Sequence, residues 1–329
     1  MSAAFGTLAL MAVAGLGFAA GTSLVLAAAW PILGRRLRRG HPEARAWVAL
    51  AAAIAPTVVP MVLLGLCLAP GALGLLGLHA DHCVQHPGHP HLCLVHPTAM
   101  LTASSALLLG LVLALVAGGA LGVALRAART RRVLAGLRNA PARCLAPGVR
   151  CIESERAFSL TAGLGRGEIF VSRALADALA PAHLDAVIEH ERAHARRRDG
   201  LRRLAAQILS WPHLPAVRRA ILAELEMATE QACDEEAGRR LGDRLIVAEA
   251  ILAAERLVAS ASAERPGPLL AFGGSAVPAR VHGLLAEPVA RPGPAGWWMA
   301  GGLLVVASLL TDPLHHATEH VLGQLLGLH

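Results

Sequence analysis

Residues 190–194 read His-Glu-Arg-Ala-His, a spacing that suits metal-assisted hydrolysis. Residues four apart share one face of a helix, so His190 and His194 can present two imidazole nitrogens to one Zn²⁺. Glu191 then lies beside the metal, where its carboxylate can take a proton from a metal-bound water that attacks a peptide carbonyl. The pattern therefore predicts one zinc ion per catalytic domain, with Glu191 as the catalytic residue.

The third protein ligand must come from elsewhere, because no third histidine follows His194 within the next six residues. Several glutamates lie between residues 224 and 242. Glu230 and Asp234 are four residues apart and share a helix face. We therefore predict that Glu230 is the third zinc ligand and that Asp234 bonds the second nitrogen of a ligand histidine. Glu226 lies on the same face and stays an alternative ligand.

The group that would stabilise the oxyanion of the reaction is less well marked in the sequence. The chain contains no tyrosine, so this group must be a histidine, an arginine or the backbone. His213 and His282 are candidates for it.

Four apolar stretches are candidates to cross a bilayer, at residues 5–33, 47–77, 98–124 and 295–311. About 20 apolar residues in a helix span the hydrocarbon core. The last stretch is the shortest. Over all 329 residues the chain is 55% hydrophobic, with a mean hydropathy of +0.52. These features predict a mainly α-helical, multi-pass protein of the cell membrane, with the lipid bilayer as a partner.

Arginines indicate which loops are cytoplasmic, because positive residues are retained on that side. They cluster after the first stretch, from Arg35 to Arg45, and after the third, from Arg126 to Arg132. Residues 78–97 contain neither arginine nor lysine. We therefore predict that the N-terminus, the loop at 78–97 and a short tail at 312–329 lie outside. Residues 1–125 form the first three spans, and residues 126–294 form the cytoplasmic catalytic domain.

The predicted cytoplasmic domain combines a small β element with helices. A basic connector occupies residues 126–148. Apolar and polar residues alternate at 149–172, and glycines interrupt this alternation as in a β-hairpin. Pro181 suits the first turn of the helix that carries the histidines. Further helices are predicted at 200–210, 215–240 and 243–259. The domain is therefore predicted to be α+β.

The formal net charge of +7 does not indicate a nucleic-acid partner. Most of the excess lies next to the membrane spans, where topology and anionic lipid explain it. Aromatic residues make up 3% of the chain, too few for a platform on which bases stack. We expect no direct binding of nucleic acid.

The predicted outside loop is rich in metal-binding residue types. Residues 79–97 contain Cys83, Cys93 and six histidines, a composition that suits copper or zinc. Two alternatives stay open: a Cys83–Cys93 disulfide that holds an inert loop, and a pH-responsive histidine cluster. The tail at 312–329 adds four more histidines.

Three segments together resemble one family of membrane peptidases. AVIEHERAHARRRD, EQACDEEA and ARVHGLL occur in this order after three spans and before a fourth, similar to the BlaR/MecR-type antirepressor metallopeptidases. The resemblance implies a zincin-like (gluzincin) domain in which HExxH and a downstream ExxxD assign His190, His194 and Glu230 to zinc and Glu191 to catalysis. It also implies a protein or peptide substrate, namely a cytoplasmic transcriptional repressor. A second copy of the chain, forming a homodimer, is a further candidate partner.

The chain departs from this family at its C-terminal end. In this sequence 18 residues follow the fourth stretch, without an SxxK motif, so we expect no sensing of β-lactams by acylation. HtpX-type quality-control proteases share the two motifs but usually have fewer spans before the catalytic domain. A catalytically silent receptor with structural zinc is a third interpretation. An adjacent gene for a winged-helix repressor would favour the antirepressor type.

Overall fold

The computed structural model describes residues 2–77, 103–163, 165, 167–264, 276–290 and 311–326. The predicted outside loop at 78–97 lies outside the described residues. The predicted fourth span at 295–311 does so as well, except for its last residue. The described part is mainly helical, with one small sheet.

Three helices of the described part are long and apolar enough to cross a membrane. They are α1 (Ser2–Leu37), α2 (Pro42–Leu75) and α3 (Ala103–Asn139). Helix α1 contains the whole first predicted span, α2 covers the second as far as Leu75, and α3 covers the third from Ala103 onward. Helix α3 extends well beyond its predicted span, because the basic connector continues the same helix to Asn139. Large apolar side chains of α3, such as Leu113 and Leu121, are exposed, as expected of a lipid-facing surface.

Helices α1 and α2 run antiparallel against each other. Trp30, late in α1, shares a buried cluster with Ala49 and Ala53, early in α2. At the other end of the pair, Leu10 lies in a cluster with Cys67. The pair therefore has one end near the arginine-rich turn at 38–41 and an opposite end that leads to the predicted outside loop.

A four-stranded sheet follows α3, with the strand order β1-β2-β4-β3. The strands are β1 (Ala142–Ala146), β2 (Val149–Ile152), β3 (Ser159–Ala162) and β4 (Glu168–Ser172). The predicted hairpin corresponds to the antiparallel pair β3–β4, whereas β2 pairs with β4 in parallel. Strand β1, which the sequence did not predict, pairs with β2 across a turn in which Gly148 has φ +77°.

Seven further helices follow in the described part of the chain, of which the second to the fifth correspond to the helix predicted to begin at Pro181 and to those predicted at 200–210, 215–240 and 243–259. They are α4 (Arg173–Ala178), α5 (Pro181–Arg197), α6 (Asp199–Leu209), α7 (Pro215–Leu241), α8 (Arg244–Glu264), α9 (Val277–Leu285) and α10 (Thr311–Leu326). Proline occupies the first helical position of α5 and of α7, where its fixed φ suits the turn and no hydrogen bond is lost.

Two buried clusters position the site. In one, Ile188 of α5 packs against Val149, Ile169 and Val171 of the sheet. In the other, Ile221 and Ala228 of α7 pack against the arginine-rich ends of α1 and α2. Small alanines on both sides let α7 approach α2 closely. The domain that contains the histidines therefore lies directly on one end of the membrane helices.

Helix α10 packs at the opposite end of the α1–α2 pair. Leu322 lies in the cluster with Leu10 and Cys67. His315 is 1% exposed, and its Nδ1 lies 2.6 Å from the carbonyl oxygen of Cys67. The segment predicted as a short tail therefore forms a helix that is anchored on two membrane helices.

Candidate metal centre and active-site groove

Helix α5 brings the two histidines of the motif together. Nε2 of His190 lies 3.1 Å from Nε2 of His194, and the rings meet edge to face. Glu191 points to another side of the helix and is 6% exposed. The local helix period thus produces the arrangement that the spacing predicts, with two imidazoles converging and the carboxylate beside them.

Helix α7 adds Glu230 to this pair of histidines. Oε2 of Glu230 lies 3.5 Å from Nε2 of His190, and Oε1 lies 3.5 Å from Nε2 of His194. The ligand atoms of these three residues all lie within 4.8 Å of one another. Glu226, the alternative ligand, is exposed and is not part of this group.

Two buried aspartates contact the outer nitrogens of the histidines. Oδ1 of Asp234 lies 2.8 Å from Nδ1 of His190, in a contact too bent for a good hydrogen bond. Nδ1 of His194 is 2.9 Å from Oδ2 of Asp199. Arg280 of α9 donates two hydrogen bonds to Asp234, at 2.8 and 2.7 Å. Each histidine is therefore held from behind by a carboxylate.

These contacts determine which ring nitrogen is free. A proton on each Nδ1 is stabilised by the carboxylate beside it, so each Nε2 keeps its lone pair. Two lone pairs at 3.1 Å, with a carboxylate 3.5 Å from each, repel one another unless a cation lies between them. Two imidazoles and one carboxylate are also the donor set of a catalytic zinc site. The residues present therefore fit a zinc ion.

The charges of these side chains also favour a cation between them. Burial disfavours a charged His190, but Asp234 and Glu230 outweigh burial and raise its pKa to about 9. Burial likewise opposes the ionisation of Glu230, yet His190, His194 and Arg280 lower its pKa well below the usual value. A zinc ion would compete with a proton for His190, because the ligand must be deprotonated to bind metal.

The sheet contributes a residue that the sequence did not single out. Thr161 of the edge strand β3 has its hydroxyl 2.7 Å from Oε2 of Glu191 and 2.9 Å from the backbone oxygen of Glu191. Gly200 of α6 permits this approach, because a Cβ there would lie 2.5 Å from the carbonyl oxygen of Gly163. Gly163 itself has φ +128°, a conformation that favours glycine.

An open groove with a volume of about 370 Å³ passes over these residues. It is lined on one side by β3 and on another by apolar residues of α8 such as Ile251. Arg203 and Arg280 line it as well, and both contact Glu230. His213 and His282 are not among its lining residues, so the prediction of either as the oxyanion group is not supported. The arginines are the cations available there.

Several residues around the centre were not predicted from the sequence, although two of them lie in the motifs quoted above. Asp199 ends the first motif, and Arg280 is in the third. Asp199 reaches His194 because Arg198 between α5 and α6 adopts the left-handed conformation, with φ 56° and ψ 42°. A non-glycine residue rarely does so, and no local pattern predicts it.

A second group of metal-binding residue types lies behind His194. Asp199 and Cys233 are buried there, and Sγ of Cys233 is 3.3 Å from Nδ1 of His194. Burial raises the pKa of the Cys233 thiol well above its usual value, followed in effect by the negative charge of Asp199. Nδ1 of His194 contacts both Oδ2 of Asp199 and Sγ of Cys233, so this group supports the imidazole from behind.

The comparison with protein families matches residues 124–265 to the model of Peptidase family M48. The matched segment contains the HExxH motif, Glu230 and Asp234, and it covers less than half of the chain. Comparison with curated proteins and with solved structures gives no match. Together with three apolar helices, the family match supports a membrane-associated metallopeptidase.

Proposed function

We propose that this chain is an integral-membrane zinc metalloendopeptidase of the BlaR/MecR antirepressor type. One observation carries the enzymatic part of the proposal. His190, His194 and Glu230 converge on one point, and Glu191 stands beside that point in an open groove. A structural zinc site has four protein ligands and is closed, whereas a catalytic site keeps one position open. Three ligands and a groove fit the catalytic kind.

Each of these residues of the groove has a separate role in the proposed hydrolysis of a peptide bond. His190, His194 and Glu230 would hold the zinc ion, which when bound lowers the pKa of a coordinated water to about 7. Glu191 accepts the proton of the attacking water and passes it to the leaving amine. The Thr161 hydroxyl holds the Glu191 carboxylate in place, at 2.7 Å from Oε2. The expected result is hydrolysis that requires both zinc and this carboxylate.

We also propose that the groove faces the cytoplasm. The peptidase domain packs on the end of the α1–α2 pair that carries Arg38 and Arg45, and both contact Glu224 of α7. Positive residues mark the cytoplasmic side. Residue 289 lines a cleft beside Arg38, whereas α10 packs at the far end of the pair. The apolar stretch at 295–311, predicted from the sequence as the fourth crossing, lies between these two positions in the chain.

Cysteine labelling tests this orientation. In a background without the native cysteines, a membrane-impermeant maleimide is expected to label His320→Cys, which is exposed on α10, in intact cells. Arg239→Cys, exposed on α7, should react only after permeabilisation. Permeabilised cells, in which both positions react, are the control. Reaction of position 239 in intact cells would place the peptidase domain outside.

The antirepressor assignment rests on the three motifs and on the order of spans and domain. In this proposal the substrate is a cytoplasmic transcriptional repressor, and cleavage transmits an outside signal. Homodimerisation would bring a second copy within reach for autoactivation. Three candidate spans before the peptidase domain favour this type over the HtpX-like alternative. A winged-helix repressor encoded next to this gene would support it further.

The outside signal that we propose is copper or zinc bound by the loop at 78–97. Replacing His82, His86, His89 and His91 by Ala removes four of its imidazole ligands. Cleavage in intact cells is expected to change when either metal is added to the wild type and to stay constant in the variant. Zinc at the catalytic site should be equal in both proteins. Metal dependence that survives the replacement would make the loop structural.

A further inference from the structure

The first turn of α2 reaches into the peptidase domain through two ion pairs. Arg45 is 6% exposed, and its Nη2 donates to Oε1 of Glu224 at 2.7 Å. Its Nη1 donates to Oε1 of Gln231 at 2.6 Å. The second pair joins Glu43 to Nη1 of Arg197, the last residue of α5. A helix that would span the membrane is therefore attached to both helices that carry the ligand residues.

The pair of Glu43 with Arg197 begins a series of side-chain contacts, the Glu43 branch, that continues to a candidate zinc ligand. Nε of Arg197 donates to Oδ2 of Asp199 at 3.3 Å. The same oxygen contacts Nδ1 of His194 at 2.9 Å. The carboxylate of Glu43 is thus two residues away from the imidazole that would bind zinc. Arg45 contacts Glu224 and Gln231, neither of which belongs to the ligand group, and the Gln231 amide donates to the backbone oxygen of Ala279.

The Glu43 branch depends on each of its members because most of it is buried. The side chains of Arg197 and Asp199 are 5% and 3% exposed. A buried guanidinium needs an anion on each side, and Nη2 of Arg197 already lacks a hydrogen-bond partner among the described residues. Asp199 has two further contacts, with Arg202 at 3.5 Å and with Cys233 at 3.4 Å. Without Glu43, Arg197 would hold Asp199 less firmly.

We infer that Glu43 is a positioning residue that couples the second membrane helix to the zinc affinity of His194. The inference rests on the proposed zinc site and adds a route by which the membrane helices act on it. A rotation or shift of α2 moves Glu43 relative to Arg197 and so alters how Asp199 orients the imidazole. Zinc would in turn favour the arrangement of α2 that keeps this branch intact, because coupling between two sites is reciprocal.

The test measures zinc affinity directly, by competition with a chelator, in the purified full-length chain. Residues that bond a ligand histidine typically contribute about 10- to 100-fold to metal affinity. Asp199→Asn should fall in that range. Glu43→Gln keeps the size of the side chain but removes its charge. Glu43 contacts Arg197, whereas Asp199 contacts the ligand histidine directly. The side chain of Glu43 is also 34% exposed, so we expect about a threefold to tenfold loss.

Glu224→Gln is the matched control, because it removes the carboxylate from the other contact between α2 and the peptidase domain. It should leave zinc affinity within about twofold of the wild type, because Glu224 contacts Arg38 and Arg45 and is not in the ligand group. A lower stability in thermal unfolding would not change this expectation for zinc affinity, since effects at separate sites are independent. In the double variant, Glu43→Gln should cause little further loss once Asp199→Asn has broken the branch.

Each remaining outcome contradicts a stated part of the proposal. Equal losses of zinc in Glu43→Gln and Glu224→Gln would mean that loosened docking of α2, not this branch, lowers the affinity. Wild-type affinity in Glu43→Gln, together with a loss in Asp199→Asn, would overturn the coupling and leave the zinc site intact. A wild-type chain that binds no zinc would overturn the proposed function as well.

Discussion

Replacing Glu191 by Gln is expected to abolish peptide hydrolysis while zinc stays bound. The amide keeps the size of the side chain and can still accept the hydrogen bond from Thr161, but it cannot take a proton. General acid–base groups contribute about 10²- to 10⁴-fold to rates, so turnover should fall by at least that range. Bound zinc should not change, because Glu191 lies outside the ligand group.

The measurement is cleavage of an unfolded protein substrate by the purified full-length chain, with bound zinc determined on the same samples. Glu189→Gln is the matched control. It lies two residues away on α5 and pairs with Arg192 and Arg196, away from the groove. Removal of zinc by a chelator should abolish wild-type activity, and added zinc should restore it. Unchanged turnover in Glu191→Gln would end the metallopeptidase assignment, whereas zinc without wild-type cleavage would favour a silent receptor.

The second large effect concerns the third ligand. Glu230→Ala is expected to remove most of the bound zinc, because two imidazoles on one helix would be the only protein ligands left. It also removes the carboxylate that both Arg203 and Arg280 contact, so less negative charge offsets these two cations next to the metal position. Asp234→Ala should weaken zinc binding by about 10- to 100-fold, since this residue contacts His190 from behind.

Glu226→Ala is the control for Glu230→Ala, because it removes the same group one turn earlier on the same helix. Its side chain is exposed, so neither zinc content nor stability should change appreciably. Zinc content of the purified proteins and chelator competition give the comparison. Loss of the metal from Glu226→Ala, with zinc retained by Glu230→Ala, would shift the third ligand by one turn.

Local patterns in the sequence were sufficient for the helices and for the spacing within each motif. The start of α5 and the bounds of α6 and α7 follow from prolines, glycines and apolar periodicity, and the structure departs from them by at most one residue. The convergence of His190 with His194 follows from the helix period alone. The shared face of Glu230 and Asp234 follows in the same way. These features depend on backbone hydrogen bonds between near neighbours, which residue types determine directly.

Tertiary structure decided which residues from other parts of the chain contact the HExxH motif and its neighbours. The parallel pairing of β2 with β4, and thereby the placement of β3 as the edge strand beside Glu191, is not visible in a glycine-rich hairpin pattern. Arg280 meets Asp234 across 46 residues, and Arg197 meets Glu43 across 154. Which buried charge pairs with which depends on how whole helices pack, because many arginines and glutamates of this chain have the same local pattern. Sequence spacing therefore determined the ligands that share a helix, and packing determined the groups that orient them.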